Sequence, residues 1–296
     1  MTATPATGRP AVHPLERSGL DRRRALVDRF FRALCVAASV VCIVPLAAIV
    51  LFVVLHGIAA LNLDLLTKPP RALGTGGGAL SAILGTLQMV ALATLIAVPI
   101  GLFAGLYVNE FAERRSARAI RFAADVLVGV PSILVGIFVF TFLVLPFRQF
   151  NAFAGSVALG VLMIPVIMRT TEEILRLVPG SLREAALALG VPTWRTVISV
   201  VIRTAIPGIL TGVMLAVARA AGETAPLLFT ALGSRLVNAG DFSRPMDALP
   251  IFIYVNARQP FPALNQQAWG AAFLLLMFVL TINVLVRART LGQRAG

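Results

Sequence analysis

Residues 79–108 read ALSAILGTLQMVALATLIAVPIGLFAGLYV, thirty positions without one charged side chain. About 20 apolar residues are enough for a helix to cross the hydrocarbon layer of a bilayer, so this stretch predicts a membrane-spanning helix. Comparable apolar stretches occur five more times along the chain, at Ala33–Leu55, Val126–Phe147, Asn151–Met168, Thr204 to about Ser234, and Ala268–Val286. The sequence therefore predicts an all-α membrane protein with six transmembrane helices.

The amino-acid composition agrees with a membrane protein. The 296 residues are 58% hydrophobic and only 13% charged, whereas a water-soluble domain carries charge at about a quarter of its positions. The net charge of +13 could indicate nucleic-acid binding, but basic residues would then cluster on one face of a polar domain. Here the arginines lie in short groups between the apolar stretches. This arrangement is typical of a membrane protein, and we expect no nucleic-acid partner.

The basic residues of the loops predict the orientation, because cytoplasmic loops carry an excess of lysine and arginine. With six spans both termini lie on one side, and that side holds 19 basic residues against six on the other. Both termini are therefore expected in the cytoplasm. The expected organisation is a cytoplasmic tail at 1–32, a six-helix transmembrane domain at 33–287 with a long cytoplasmic loop at 169–203, and a cytoplasmic tail at 288–296.

The chain lacks a sequence that could bind ATP. A P-loop requires a lysine that follows glycine and precedes serine or threonine. The only lysine, Lys68, lies between Thr67 and Pro69, so the glycines at 74 and 76–78 do not form such a loop. No set of metal or redox ligands and no nucleophile with a base stands out either. We expect a protein that is not an enzyme, and any ATP and magnesium to be bound by a partner.

The loop at 169–203 is expected to contain a helix. Ser181 and Glu184 have the spacing of a capping box, in which each side chain satisfies a free amide at the start of a helix. Gly190 is expected to end this helix, with Pro192 following at the usual place. A helix of about two turns is unstable alone, so it must pack either on another protein or on its own bundle. The residues alone leave both possibilities open.

The fifth apolar stretch contains Arg219 and Glu223. These residues are four apart, so they can share a helix face and form an ion pair. A charge at the centre of a bilayer costs about 2.5–3.5 kcal/mol, so such residues usually face a bundle interior or a water-filled path. One interpretation is a neutralised pair that fixes helix packing. The other is a translocation path, in which the arginine binds an oxyanion and the carboxylate positions it or accepts a P–OH proton.

Two further features predict close packing of the spans. Gly101 and Gly105 form a GxxxG pair, which permits two helix backbones to approach closely, although glycine is common in this chain. Several prolines lie in or near the spans, where they can kink a helix. Both moving and static bundles contain such residues.

The loop helix resembles a known family. Glu184-Ala185-Ala186 followed by Gly190 resembles the EAA loop of the permeases of binding-protein-dependent ABC importers, and it lies in the last cytoplasmic loop, as in that family. The family continues with a proline about ten residues later, where this chain has Arg203, with Pro207 four residues beyond. The resemblance implies that Glu184, Ala185, Ala186 and Gly190 belong to a coupling helix that docks into an ATP-binding subunit.

The charged stretch narrows the resemblance. The run RAAGETAPLLFTA at 219–231 resembles the signature of the permeases of phosphate importers, and in particular their PstA-type branch. Asp125 with GVPSI at 129–133 is similar to the third span of that family. The glycine run at 74–78 with Gly85 and Thr86 is similar to its first external loop and second span, and the motif ALP at 248–250 with Ile253 and Tyr254 is similar to its last external loop. The resemblance covers most of residues 79–287.

The resemblance implies a fold, partners and a path. The fold would be that of the six-helix type I ABC importer permeases, in a bacterial plasma membrane. The chain would form a heterodimer with a PstC-like permease, and would assemble with two PstB-like ATP-binding subunits and an extracytoplasmic phosphate-binding protein. Arg219, Glu223 and Thr224 would contribute to the translocation path for phosphate. The external loops at 57–78 and 235–262 would receive the binding protein.

Three other functions are compatible with parts of the sequence. A permease for another oxyanion, such as sulfate or molybdate, would keep the coupling loop but should lack the run from Arg219 to Thr224. A secondary transporter driven by an ion gradient often has inverted repeats, which this sequence does not show. A membrane-bound enzyme would need a catalytic constellation.

Overall fold

The computed structural model describes residues 19–71 and 77–292, and within these ranges its regular structure is helical. The expected tails at 1–32 and 288–296 and the glycine run at 74–78 lie partly outside the described residues. The helices are α1 (Gly19–Ala60), α2 (Leu63–Thr67), α3 (Leu80–Leu106), α4 (Arg114–Gly129), α5 (Ser132–Val139), α6 (Ala152–Arg176), α7 (Gly180–Ala188), α8 (Thr193–Thr196), α9 (Arg203–Ala221), α10 (Ala225–Thr230), α11 (Leu249–Ala257) and α12 (Pro262–Gly292). Three π-helical segments extend α3, extend α5 and join α8 to α9, at Tyr107–Phe111, Phe140–Val144 and Val197–Ile202.

The chain divides into two compact units, residues 1–52 and 53–296. In the first unit, helix α1 carries exposed side chains at every position from Arg23 to Phe52, and most of them from Ala33 onward are apolar. Such a surface suits contact with lipid rather than with water. The remaining elements form a helical bundle in the second unit.

The described residues contain five helices long and apolar enough to cross a membrane, and a bent pair makes a sixth. The third predicted span, Val126–Phe147, is not one straight helix: α4 and the extended α5 meet at an angle of 100°. The cause is Pro131, since a proline disfavours helical backbone at the residue before it. Val130 accordingly has ψ 128, an extended value.

The fifth predicted span, which ran to about Ser234, is also interrupted. Its helix ends at Ala221, residues 222–224 connect, and the short α10 follows. Gly222 is a poor helix former, and Pro226 lies in the first turn of α10, where its missing N–H costs nothing. The fifth predicted span is therefore not one continuous helix, and Glu223 and Thr224 lie beyond the end of α9.

Helix α6 is the centre of the bundle and packs closely against α3. A Cβ atom at Gly105 would lie 2.7 Å from the carbonyl oxygen of Met168, and one at Gly101 would lie 2.8 Å from the Cβ of Ile167. Both distances are shorter than any real contact, so only glycine allows this approach. The prediction that the GxxxG pair is a packing site is confirmed.

The start of α6, at one end of this bundle, is hydrogen-bonded to a long loop. At one end, the long loop (residues 231–248) accepts hydrogen bonds from the first amides of α6, from Ala152 N to Arg244 O at 2.9 Å and from Phe153 N to Phe242 O at 3.0 Å. These bonds satisfy amides that a helix start leaves without a partner. The opposite end, where α3 and α6 finish and α7 begins, is called the α7 end below.

Candidate functional site

Helix α7 begins two residues earlier than the capping box predicts. Its N-cap is Pro179, and no side chain caps the helix. The prediction that Ser181 and Glu184 form a capping box was therefore wrong. Pro179 has an extended ψ of 135, and because its carbonyl already accepts a bond from Leu182 N at 3.2 Å, the helix starts before Ser181 can serve as a cap.

The end of α7 agrees with the sequence. Gly190 has a φ of +77, a left-handed conformation that glycine adopts without strain. Gly190 N donates to Leu187 O at 2.9 Å, and Val191 N donates to Ala186 O at 3.2 Å. This pair of bonds is the Schellman motif, so Gly190 ends the helix as predicted.

The residues of the predicted coupling helix divide between two surfaces. Ala186 is buried against the chain itself, whereas Glu184 and Ala185 are exposed. Exposed apolar side chains lie beside them on α7, after it and on α8: Leu182, Leu187, Leu189 and Trp194. A cluster of exposed large apolar residues marks an interaction surface in many proteins. The helix thus packs on its own bundle with one side and presents the other.

Arg183 fastens α7 to the bundle, and the sequence analysis missed this role. Its Nη2 lies 2.7 Å from Glu110 Oε1, and the two side chains are 26% and 10% exposed. The same guanidinium donates to Leu175 O at 3.1 Å and Val178 O at 3.2 Å, at the end of α6. A cation at a helix C-terminus is favourable because the carbonyls there carry partial negative charge. The only sequence signal was one acid, Glu110, directly after a long uncharged stretch.

A second cluster at the α7 end surrounds Glu172, whose side chain is 2% exposed. Arg121 of α4 donates to it through Nε at 2.6 Å, and Arg176 forms a further short ion pair with it. Arg169 lies 4.0 Å away and pairs with Asp125. From the sequence, these arginines indicated only the orientation, and Glu172 had no predicted role.

The predicted path residues lie where α9 ends. Arg219 Nε and Glu223 Oε1 are 3.8 Å apart, and the side chains are 56% and 18% exposed. This distance brings the charges together but is too long for a hydrogen bond. Thr224 is the N-cap of α10, and its carbonyl accepts a bond from Leu228 N at 3.2 Å. Among the described residues, the guanidinium of Arg219 has no hydrogen-bond partner, and its side chain is exposed.

The break in the fifth span lies close to the bent third span. A Cβ atom at Gly136, in α5, would lie 2.6 Å from the Cα of Pro226, in α10. The two helices that follow the two breaks therefore touch backbone to backbone. Non-helical backbone at membrane depth is tolerated where it is buried in protein or lines a water-filled cavity. An interrupted region with a loosely paired arginine is suited to binding an anion.

The long loop contains a buried carboxyl group. Asp247 is buried, and its Oδ1 accepts a hydrogen bond from Ala248 N at 2.9 Å. Burial raises the pKa of this carboxyl to about 7, and the bond from Ala248 opposes that shift. Asp247 lines a cavity of about 200 Å³ together with Ser234, Arg235 and Asn256, among others.

Residues 97–290 match the family described as binding-protein-dependent transport system inner membrane component. The chain is 44% identical over 232 residues to the phosphate transport system permease protein PstA of Pasteurella multocida, covering 78% of this chain and 82% of that protein. It is 39% identical over 268 residues to the protein of the same name from Mycobacterium leprae, covering 88% of each.

Solved structures show the same fold at low sequence identity. A chain of the MetNI methionine ABC transporter, from crystals of inward-facing conformations, superposes with a TM-score of 0.56 at 19% identity and covers 73% of this chain and 94% of that chain. A second crystal form gives a TM-score of 0.57 at 20% identity, over 71% and 94% of the two chains. The helical architecture is thus that of ABC importer permeases.

Proposed function

The chain belongs to the family of binding-protein-dependent transport system inner membrane components, and we propose that it is the transmembrane permease subunit of an ATP-driven phosphate importer. The observation that carries this proposal is the identity of 39–44% to proteins named phosphate transport system permease protein PstA, over most of both chains. The alternatives of a sulfate or molybdate permease and of an ion-gradient transporter gain no support from these relatives.

The proposed assembly has four kinds of protein. The chain would pair with a PstC-like permease subunit, bind PstB-like ATP-binding subunits through α7, and receive phosphate from an extracytoplasmic binding protein. The exposed Glu184 and Ala185, with the apolar side chains around them, support the docking of α7 on a partner. ATP and magnesium would be bound by the PstB-like subunits, so this chain would hydrolyse nothing itself.

The proposed orientation places the α7 end in the cytoplasm and the long loop outside. The arginines of the α7 end support it, because Arg114, Arg115 and Arg118 lie at the start of α4 near that end, next to Tyr107–Phe111. The chain termini would both be cytoplasmic. The long loop and the segment before α3 would then meet the binding protein.

The proposed path for phosphate runs past the break between α9 and α10. Arg219 would donate hydrogen bonds to phosphate oxygens, for which a guanidinium has a matching fork of donors. Glu223, 3.8 Å away, would orient Arg219 or accept the proton of the P–OH group of hydrogen phosphate. A fully ionised sulfate lacks that proton and would be repelled. Thr224 would add a hydroxyl at the same break.

The proposal is tested by reconstituting the chain with its partners in proteoliposomes, with ATP inside and phosphate-loaded binding protein outside. We expect phosphate uptake that requires ATP and that excess sulfate does not inhibit. Uptake that follows an ion gradient and ignores ATP would refute the proposal. ATP-dependent uptake of sulfate or molybdate instead of phosphate would refute phosphate as the substrate, but would be consistent with an ATP-driven importer.

Docking through α7 is tested in the same system with Glu184→Lys. The variant should fold, because Glu184 is exposed and has no ion pair among the described residues. It should bind the ATP-binding subunits more weakly than the wild type does. The matched control is Glu173→Lys, an exposed acid on α6, which should bind them normally. Equal binding by both variants would contradict docking through α7.

A further inference from the structure

Arg183 and Glu110 lie 73 positions apart in the sequence and belong to different helical elements. Arg183 lies on α7, and Glu110 lies in the π-helical turn Tyr107–Phe111 that ends α3. We propose that Arg183 is a positioning residue, and that its ion pair with Glu110 transmits movement of α7 to the end of α3. The proposal rests on the proposed function, since it assigns a mechanical role within an ATP-driven permease.

The ion pair is better placed to transmit force than a surface pair. A solvent-exposed pair contributes little, because water screens it and both side chains are mobile. Here Glu110 is largely buried, Arg183 is mostly buried, and the two atoms are 2.7 Å apart. Asn109 donates a further hydrogen bond to the same carboxylate oxygen at 2.7 Å. The pair is therefore held from both sides.

The guanidinium also grips the end of α6. Its bonds to Leu175 O and Val178 O use donors that point in fixed directions, because the guanidinium is planar. A lysine could not make this set of bonds with the same geometry. Helix α7, with nine residues, has too few internal bonds to hold its own position. Arg183 therefore determines how α7 sits against both α3 and α6.

Stability alone does not account for the arrangement. The Nε atom of Arg183 is buried and has no hydrogen-bond partner among the described residues. A buried donor without a partner is unfavourable, so a site selected only for stability would satisfy it. An arrangement with one donor unsatisfied is compatible with a second arrangement in which α7 has moved and that donor is satisfied.

The packing of α3 against α6 allows a displacement at Glu110 to reach α6. Five residues before Glu110, Gly105 brings α3 against the carbonyl of Met168 in α6, with no space for even a methyl group. Closely packed interiors transmit displacement because they cannot be compressed. The covalent route from α7 runs instead through α8 and the π-helical segment Val197–Ile202 into α9. The ion pair thus supplies a second route, into α3 and α6.

The test compares Arg183→Gln and Glu110→Gln with the wild type in reconstituted complexes, measuring phosphate uptake and ATP hydrolysis in the same vesicles. We expect assembled complexes that hydrolyse ATP but transport about tenfold less phosphate per ATP. The charge swap, with Arg183→Glu and Glu110→Arg together, should restore part of that ratio. The matched control is Arg118→Gln, an exposed arginine on α4 without an ion pair among the described residues, which should behave like the wild type.

The inference is overturned if both single variants keep the wild-type ratio, or if uptake and hydrolysis fall together and the charge swap restores neither. A readout independent of cargo uses Phe111→Cys, in a chain whose Cys35 and Cys42 are replaced by alanine. ATP should change the labelling rate of this exposed thiol, and Arg183→Gln should abolish the change. A wild type that shows this response but takes up no phosphate refutes the proposed function and leaves the coupling intact. No loss of the response in Arg183→Gln refutes the coupling.

Discussion

Two arginine–carboxylate pairs in this molecule differ in their separation along the chain, in their exposure and in the distance between their charged atoms. Arg183 and Glu110 come from distant parts of the chain, are largely buried, and form a hydrogen bond of 2.7 Å. Arg219 and Glu223 are four residues apart, and their charged atoms are 3.8 Å apart with the arginine exposed. A buried, hydrogen-bonded pair holds elements in place, whereas a loose, exposed pair leaves donors free for a ligand.

The difference follows from the elements that carry each pair. The guanidinium of Arg183 donates to Leu175 O and Val178 O as well as to Glu110, so the two charged side chains meet in one geometry. Glu223 lies beyond the end of α9, where Gly222 and the tight turn from Ala220 O to Glu223 N replace regular helix. The second pair therefore can adjust when a ligand arrives.

The comparison predicts its largest effect at Arg219. Arg219→Gln removes the charge and the fork of donors, and should reduce phosphate transport roughly 10- to 100-fold, since a hydrogen bond to a charged group contributes about 1.5–3 kcal/mol. The unfolding temperature of the purified complex should stay unchanged, because Arg219 is exposed and loosely paired. Uptake in proteoliposomes and thermal unfolding measure the two effects.

The control for Arg219 is Arg118→Gln, an exposed arginine of α4 without an ion pair among the described residues, which should transport normally. Arg219→Lys should fall between the wild type and Arg219→Gln, because lysine keeps the charge but loses the planar fork. Normal transport by Arg219→Gln in an assembled complex would show that the loose pair has no part in the path.

At Glu172, a buried acid of the α7 end, we expect a substitution to lower stability, unlike at Arg219. Glu172→Gln leaves Arg121 and Arg176 without their counter-charge and should lower the free energy of unfolding by about 1–3 kcal/mol. The measurement is the midpoint of thermal unfolding in detergent. Glu173→Gln, one residue along the same helix but exposed, is the control and should unfold like the wild type. Equal midpoints for the two variants would show that the cluster around Glu172 adds no stability.

The close packing behind the α7 end gives the next effect in size. Gly105→Ala forces α3 away from Met168, and we expect a loss of about 1–2 kcal/mol, as for other overpacked cores. Gly180→Ala, where no atom lies within 4 Å of the new methyl group, should change stability little. A stability loss in both variants would mean that the lack of space at Gly105 is not the cause.

The last prediction concerns Asp247, a buried carboxyl for which the described residues show no ion pair. Its pKa of about 7 in the folded loop exceeds the ordinary value of 3.8, so the folded loop binds a proton that the opened loop releases. The stability of the loop should therefore fall as pH rises from about 4 to 7, and stay constant above 7. Hydrogen exchange of residues 231–248, corrected for intrinsic rates, measures it, and Asp247→Asn should remove the pH dependence. A wild-type loop that opens equally at pH 5.5 and 8 would contradict the raised pKa.

Most of the fold was predictable because each span is recognisable from its own apolar residues. Long uncharged runs such as Leu80–Leu106 need no partner to be read as spans, and Gly190 ends α7 through its own backbone freedom. The glycines at 101 and 105 also indicated their packing. The motifs around Glu184 and Arg219 identified the family through their spacing, before any contact was known.

The interruptions of the third and fifth spans were harder to predict. Proline and glycine occur inside α3, α6 and α9 without ending them, since neighbouring helices compensate for lost hydrogen bonds. Pro131 and Gly222 end their helices, and the sequence does not distinguish these positions from the tolerated ones. The folded structure brings Gly136 and Pro226, in the helices that follow the two breaks, into backbone contact.

Hydropathy, caps and motifs act over a few neighbouring residues, so they were enough to predict about six membrane spans and the loop that contains α7, and to propose Arg219 as an anion-binding residue. The pairing of Arg183 with Glu110, and of Glu172 with arginines of α4 and α6, became evident from the folded structure. Ion pairs between distant positions depend on which helix ends meet. With 25 arginines in the chain, the sequence does not show which acid each one pairs with. The same packing decided that the pair of Arg219 and Glu223 is loose, because it placed them at a helix end rather than within a helix.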